Sequence, residues 1–363
     1  MAPSATETVT LPTQVKKPVD DRFTRAGLGN YKELAPTSFD KDAEQKGLGE
    51  FAPASYPNYL PTWDDVTYPP LESFEHRDHG LDADTTYPEL LAPGVELSEL
   101  TPAMGTEIKG VQLKRWWLSE TKISQIYQSQ MLSNMADIFG RPHIHPTSGA
   151  PAGFPEVHLV HRAAGDKTAE EFFETRTNST GCTQTSHMRS SHLEQHSYTL
   201  LMSQRAEEIY SFANGVEAYN RLSESFKERL HGLTATHSGI EQVNASRYRN
   251  GIARREPVIN VHPVVRTHPV TGEKALYVNK QFTRKIVGFK QEESDMLLNF
   301  LYDHIAQGAD FHVRVKWAPK TVVVWDNRVA THTALVDWSG GARRHLARLT
   351  PQAEAPYETP YKA

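Results

Sequence analysis

The chain has a single cysteine among its 363 residues, Cys182. That excludes an intramolecular disulfide and any cysteine-cluster metal centre, and it fits a reducing compartment, so a cytoplasmic location is the expectation. Long apolar runs are also missing. Nothing approaches the roughly 18 consecutive apolar residues of a membrane span, and the opening stretch MAPSATETVTLPTQVKKPVDD holds no apolar leader segment. There is no basic excess: 39 Lys and Arg stand against 44 Asp and Glu, a net charge of −5. A nucleic-acid partner would need the opposite balance. Internal repeats are absent. The remaining expectation is a partner of small-molecule size.

What is present divides unevenly. Residues 1–95 are rich in Pro, Asp, Glu, Tyr and Ser, as in SYPNYLPTWDDVTYPPLESFEHRDHG. The scattered aromatics suggest an extension that wraps a domain, and about the first 20 residues read as disordered. Such an arm could also contact a neighbouring copy, so a homo-oligomer is left open. From ELTPAMGTEIKGVQL (99–113) the texture changes to short β-type runs, among them EVHLV, SYTLLMS, ALYVN, FHVRVKW, TVVVWD and RHLARLT. Helical spacing appears in ETKISQIYQSQMLSNMADIF, EAYNRLSESFKERLHGL (217–233) and QEESDMLLNFLYDHIAQ (291–307). The organisation expected is an N-terminal extension over 1–95, one α+β or barrel-like domain over 96–355 and a tail over 356–363.

Seventeen histidines are many, although a histidine taken alone is usually a surface or structural residue. The informative ones are His143 and His145 in GRPHIHPTSG, His187 in SHMRSSHLEQHSYTLLMS, and His332 in WDNRVATHTALVDW. His262 and His268 in HPVVRTHP read as structural. Arg344 and Arg348 in RRHLAR are four apart, and on a strand they share one face. Two inward guanidiniums need anions, which a dicarboxylate or an acidic substrate would supply.

The stretches GRPHIHPTSG, SFANGVEAYNRL, HPVVRTHPVTGEKALYVN, WDNRVATH and RRHLAR together resemble, in order, the taurine dioxygenase (TauD/TfdA) family of Fe(II)/2-oxoglutarate oxygenases, fungal members in particular. The resemblance implies a mainly β fold with flanking helices, the double-stranded β-helix or jelly-roll. It implies Fe(II) and 2-oxoglutarate as cofactors, with His187 and His332 as metal ligands. Arg344 would hold the distal carboxylate of 2-oxoglutarate, while Arg348 and His145 would face the acidic head of the substrate.

Three departures surround that same pocket. The family's His-x-Asp appears as His187-Met188-Arg189, and an arginine has no lone pair to give a metal. Tyr210 stands where the family carries a threonine that helps bind 2-oxoglutarate. A strand expected before GRPHIHP is missing. One reading is an oxygenase with a remodelled metal site, its third ligand coming from His192, Glu194, solvent or an anion. The alternative is a repurposed non-oxidative enzyme or an anion-binding pseudoenzyme, in which Arg189, Arg344, Arg348, His145 and His187 together surround an acidic small molecule; His187, Arg189 and Tyr210 are the catalytic candidates.

Overall fold

The computed structural model describes residues 53–111 (except 55, 65, 73, 89 and 90), 140–165, 198–203, 209–248, 251–316, 318, 321–335 and 343–362. The expected helix over 120–139 lies outside these residues.

Fourteen strands are described. A hairpin pairs β1 (Glu96–Glu99) with β2 (Thr106–Lys109), and β3 (His158–Arg162), β4 (Tyr198–Ser203) and β5 (Ile209–Asn214) follow. After them come β6 (Thr234–Ser238), β7 (Ile259–Pro263), β8 (Val265–Thr267), β9 (Lys274–Leu276) and β10 (Thr283–Ile286). The last four are β11 (His312–Lys316), β12 (Val322–Asp326), β13 (Ala330–Ala334) and β14 (Arg344–Leu349). Two sheets build the centre, one ordered β12-β4-β14-β3 and the other β11-β5-β13, all antiparallel. Their inner faces meet in one apolar cluster. Tyr210, Phe212, Val313 and Ala330 come from the second sheet; Trp325, Leu346 and Val160 come from the first. Sheets packed face to face with alternating inward residues make a jelly-roll core, as the sequence motifs imply.

The helices lie to one side. Helix α1 (Gly215–Asn220) starts where the Asn214 side chain accepts from the backbone N–H groups of Val216 and Glu217, at 2.9 and 3.2 Å. Helix α2 spans Glu224–Leu230, α3 Ile240–Tyr248 and α4 Gln291–Gln307. The single amphipathic helix expected over 217–233 is therefore two. Ser223 takes an extended conformation (ψ 149°) and opens a new helix. Serine favours that N-cap position because its side chain competes for the backbone in helix interiors. The apolar spacing survives the break: Leu222 and Leu230 are both buried in the larger core, with Phe226 packed against it. Helix α4 keeps the expected bounds and buries Leu298, Leu301 and Ile305 in the same core. The expected strand ALYVN (275–279) keeps only Ala275 and Leu276 in β9, which begins at Lys274, because β8 offers three partners.

Residues before the hairpin lie against the outer face of the first sheet. The Tyr59 carbonyl pairs with the His345 imidazole at 2.9 Å, and Thr62 bridges Ala150. Further along, Asp78 reaches the turn between β12 and β13. Its carboxylate accepts from Arg328 at 2.5 Å, and Arg328 also grips Asp326 with Nε and Nη2. Glu354 joins at 3.3 Å from Arg328 and at 2.5 Å from Arg266, while His268 meets Asp326 at 2.9 Å. Opposite charges removed from water this completely require mutual pairing, which the network provides. After β14 the chain stays tied: Thr359 hydrogen-bonds Thr267, Lys274 bonds the Thr359 carbonyl, and Tyr361 reaches Glu224. Among the described residues no helix is long and apolar enough to cross a membrane.

Candidate active site

His332 occupies the middle of β13, opposite Phe212 of β5. It is buried, and three aromatic rings surround it. Trp325 lies 4.9 Å away centroid to centroid, Tyr210 5.9 Å and Phe212 6.0 Å. The tight turn Asn327–Val329 that delivers the histidine is held from below by Arg328 and its carboxylates, and the Trp325 indole N–H bonds Asn327 at 2.9 Å. A rigid scaffold of this kind fixes an imidazole's direction.

The arginines stand one step beyond those rings. RHLARLT forms the strand β14, and the alternation of side chains puts Arg344, Leu346 and Arg348 on one face. Leu346 belongs to the inner cluster, so that face is the inner one. Both guanidiniums are buried. Arg344 donates from Nη2 to the Tyr210 hydroxyl at 2.8 Å, with its guanidinium carbon 5.3 Å from the ring centroid. Arg348 sits 5.9 Å from the Trp325 ring. His332, Tyr210, Arg344 and Arg348 thus form one cluster although they span 139 positions of sequence (348 − 210 = 138 steps, counted inclusively).

The loop GRPHIHP enters from the other end. Gly140, at φ +138°, allows the backbones to touch: a Cβ there would lie 1.9 Å from the Gln352 carbonyl oxygen. The two segments are then zipped by His143 N–H to Thr350 O (3.0 Å) and by the bridge between Pro142 and Pro351. His143 is buried beside Arg255, at 3.4 Å. His145 packs on His158, with ring centroids 4.2 Å apart. His158 pairs across the strands with Arg348, so His145 and Arg348 are brought to one neighbourhood with His158 between them. Sequence reasoning missed two residues here, His158 and Arg162. Both lie on the inner face of β3 and both are buried. The alternation in EVHLVHR could have flagged them once β14 was taken as its partner.

His262 and His268 take structural places. His268 is bonded to Asp326 and accepts from the N–H groups of Val270 and Thr271, and His262 packs near His237 and Tyr277. Burial pushes the His237 imidazole well below its ordinary pKa, so it is neutral. His187, Arg189, His192 and Glu194 lie outside the described residues, as does Cys182.

A family model described as "Taurine catabolism dioxygenase TauD, TfdA family" matches residues 96–350. The chain belongs to the TauD/TfdA family. One curated member, named an alpha-ketoglutarate-dependent sulfonate dioxygenase, is from Saccharomyces cerevisiae. It is 38% identical over 334 residues, covering 84% of this chain and 79% of its own. Another, from Penicillium expansum and named alpha-ketoglutarate-dependent dioxygenase cnsP, is 34% identical, covering 89% of this chain and 92% of its own. Among solved structures, a putative alpha-ketoglutarate-dependent taurine dioxygenase from Burkholderia xenovorans superposes with a TM-score of 0.55 at 24% identity, covering 72% of this chain and 94% of that one. That likeness fixes the jelly-roll fold of the TauD/TfdA member described here.

The TauD/TfdA family implies iron and 2-oxoglutarate (alpha-ketoglutarate), and the two groups fit unequally. Buried guanidiniums on the inner face suit a dicarboxylate. Of the two histidines that the resemblance implies as metal ligands, His332 is among the described residues and His187 is not. The described trio whose ligand atoms come close enough for a cation, His76, Asp78 and Glu354, lies elsewhere. Its carboxylates are already engaged by Arg328 and Arg266, so it is an ion-paired lock and not a metal centre.

Proposed function

We propose that the protein is a 2-oxoglutarate-dependent oxygenase of this family that acts on a small acidic substrate and carries a metal site remodelled at Arg189. The observation that carries the reading is the row Arg344–Arg348 on the inner face beside His332. It is supported by a relative whose name specifies sulfonates. In this reading Arg344 holds the distal carboxylate of 2-oxoglutarate. The Tyr210 hydroxyl replaces the threonine hydroxyl of relatives. Arg348, with His145 and His158, orients the acidic head of the substrate.

Iron held by His187 and His332 would supply activation of O₂ when bound. Arg189 cannot add a ligand. The chain's own part is to bind two anions on one rigid face and to keep His332 in an apolar, aromatic enclosure. Equilibrium titration of the purified protein with 2-oxoglutarate and Mn(II), followed by calorimetry, tests the reading. Saturable binding of both supports it, and binding of neither sinks it.

A second reading has a specific observation in its favour. An arginine, Arg189, stands where the family carries the ligand carboxylate, and it has no lone pair to give a metal. An acid-binding protein without oxidative chemistry on the same scaffold would bind 2-oxoglutarate or a sulfonate equally well with and without metal.

A further inference from the structure

The register between β14 and β3 places Arg344 directly opposite Arg162. The next inward pair is Leu346 with Val160, and the one after that is Arg348 with His158. Leu346 and Val160 pack in the inner cluster with Tyr210, Phe212 and Trp325, whereas Leu159, Ala347 and Leu349 form a separate cluster on the other face. Arg162 is therefore an inner-face residue, and it is buried. Residues directly opposite on antiparallel strands hold their Cβ atoms about 4.5–5.5 Å apart, within easy reach of a shared ligand for two arginines. Along the strand, four residues at about 3.3 Å each put Arg344 and Arg348 roughly 13 Å apart at the backbone. Arg162 thus serves the Arg344 end.

We propose that Arg162 is a second guanidinium for the carboxylate held by Arg344. The two arginines and the Tyr210 hydroxyl would form a three-membered clamp for the terminal acid of a dicarboxylate keto acid. The inference rests on the proposed function and deepens it. Tyr210 accepts from Arg344 through its oxygen, which holds the phenol beside that guanidinium. Two planar forks side by side select a carboxylate by geometry as well as charge, and a lysine could not reproduce that. The consequence is specificity: 2-oxoglutarate is favoured over an otherwise equal keto acid that lacks the distal acid.

The test compares 2-oxoglutarate with 2-oxopentanoate by isothermal titration of the full chain, with and without Mn(II). Wild type is expected to favour 2-oxoglutarate, and Arg162→Gln is expected to cut the affinity ratio about tenfold or more, the scale of one charged hydrogen bond. The affinity for 2-oxopentanoate should stay unchanged. Tyr210→Phe is expected to reduce the same ratio by a smaller factor. If Arg162→Gln does not fold, Arg162→Lys takes its place, because it keeps the charge but loses the fork and should show the same loss of preference. A wild-type ratio kept by these Arg162 variants overturns the clamp and leaves the proposed function standing. A wild type that binds neither keto acid, or does not distinguish them, overturns both.

Discussion

Replacing Asp78 should loosen the molecule far from any ligand. Asp78 lies some 250 positions before Arg328, and its carboxylate meets that guanidinium at 2.5 Å with the arginine side chain wholly buried. Removing one partner of a buried pair costs about 3–5 kcal/mol, because the surviving charge is left without its counterpart. Here the survivor keeps Asp326 on Nε and Nη2 and Glu354 on Nη1, so the lower end applies. Asp78 also accepts from the Gly80 N–H at 2.6 Å and caps the short turn His79–Asp82, worth about 1 kcal/mol more. Asp78→Ala is thus expected to cost about 3–4 kcal/mol. Asp78→Asn, which keeps the shape and the cap, should cost about 2 kcal/mol, within the range for a hydrogen bond to a charged group. Urea unfolding followed by far-UV circular dichroism reads both. If both variants unfold within about 0.5 kcal/mol of wild type, like ordinary surface changes, the lock between the N-terminal segment and the β12–β13 turn is not energetically real.

The other predictions concern charge at the site and acid stability. Arg348→Ala should weaken binding of a sulfonate probe such as taurine by about 1.5–3 kcal/mol, measured by calorimetry, with 2-oxoglutarate affinity little changed. Arg189→Asp should strengthen Fe(II) binding under anaerobic conditions. A unit charge about 5 Å from Fe(II) at an effective dielectric near 20 contributes roughly 6–7 kcal/mol of repulsion before screening. Wild type that already binds iron tightly, with no gain in the variant, would show Arg189 to be turned away. Burial raises the pKa of Asp326, but its hydrogen bonds with His268 and Arg328 outweigh that, and the carboxyl ends below its ordinary value. A carboxylate depressed in the folded state stabilises above its unfolded pKa of about 4 and loses that contribution as pH falls further. Thermal midpoints should therefore drop as pH falls below about 4, and less steeply in Asp326→Asn.

The fold was legible because five motif stretches carry the jelly-roll in order, and β14, β12 and β11 matched their apolar runs. The limits were physical. A four-residue apolar spacing survives a helix break when both sides face one core, as Leu222 and Leu230 do on either side of Ser223, so they looked like one helix. The shared inner face of Arg344 and Arg348 was readable, because residues four apart on a strand point the same way. Arg162 and His158 were not, since their meaning comes only from the strand opposite, which spacing within one segment cannot disclose. The lock at Asp78 was equally hidden: an aspartate in a Pro-rich stretch signals nothing until the partner some 250 positions away is known.

Gly140 has a consequence for how this loop can vary. The near-contact between position 140 and the Gln352 carbonyl leaves no volume for even a methyl group, and the positive φ penalises any L side chain besides. Position 140 is thus closed to all nineteen alternatives, as a tightly packed interior position would be, although it sits in a connecting segment where substitutions are ordinarily tolerated. A drift in sequence here would have to begin at the other backbone, by a shift of Pro351 and Gln352. That shift would drag the end of β14 with it, and with β14 the placement of Arg348 against its partners across the sheet.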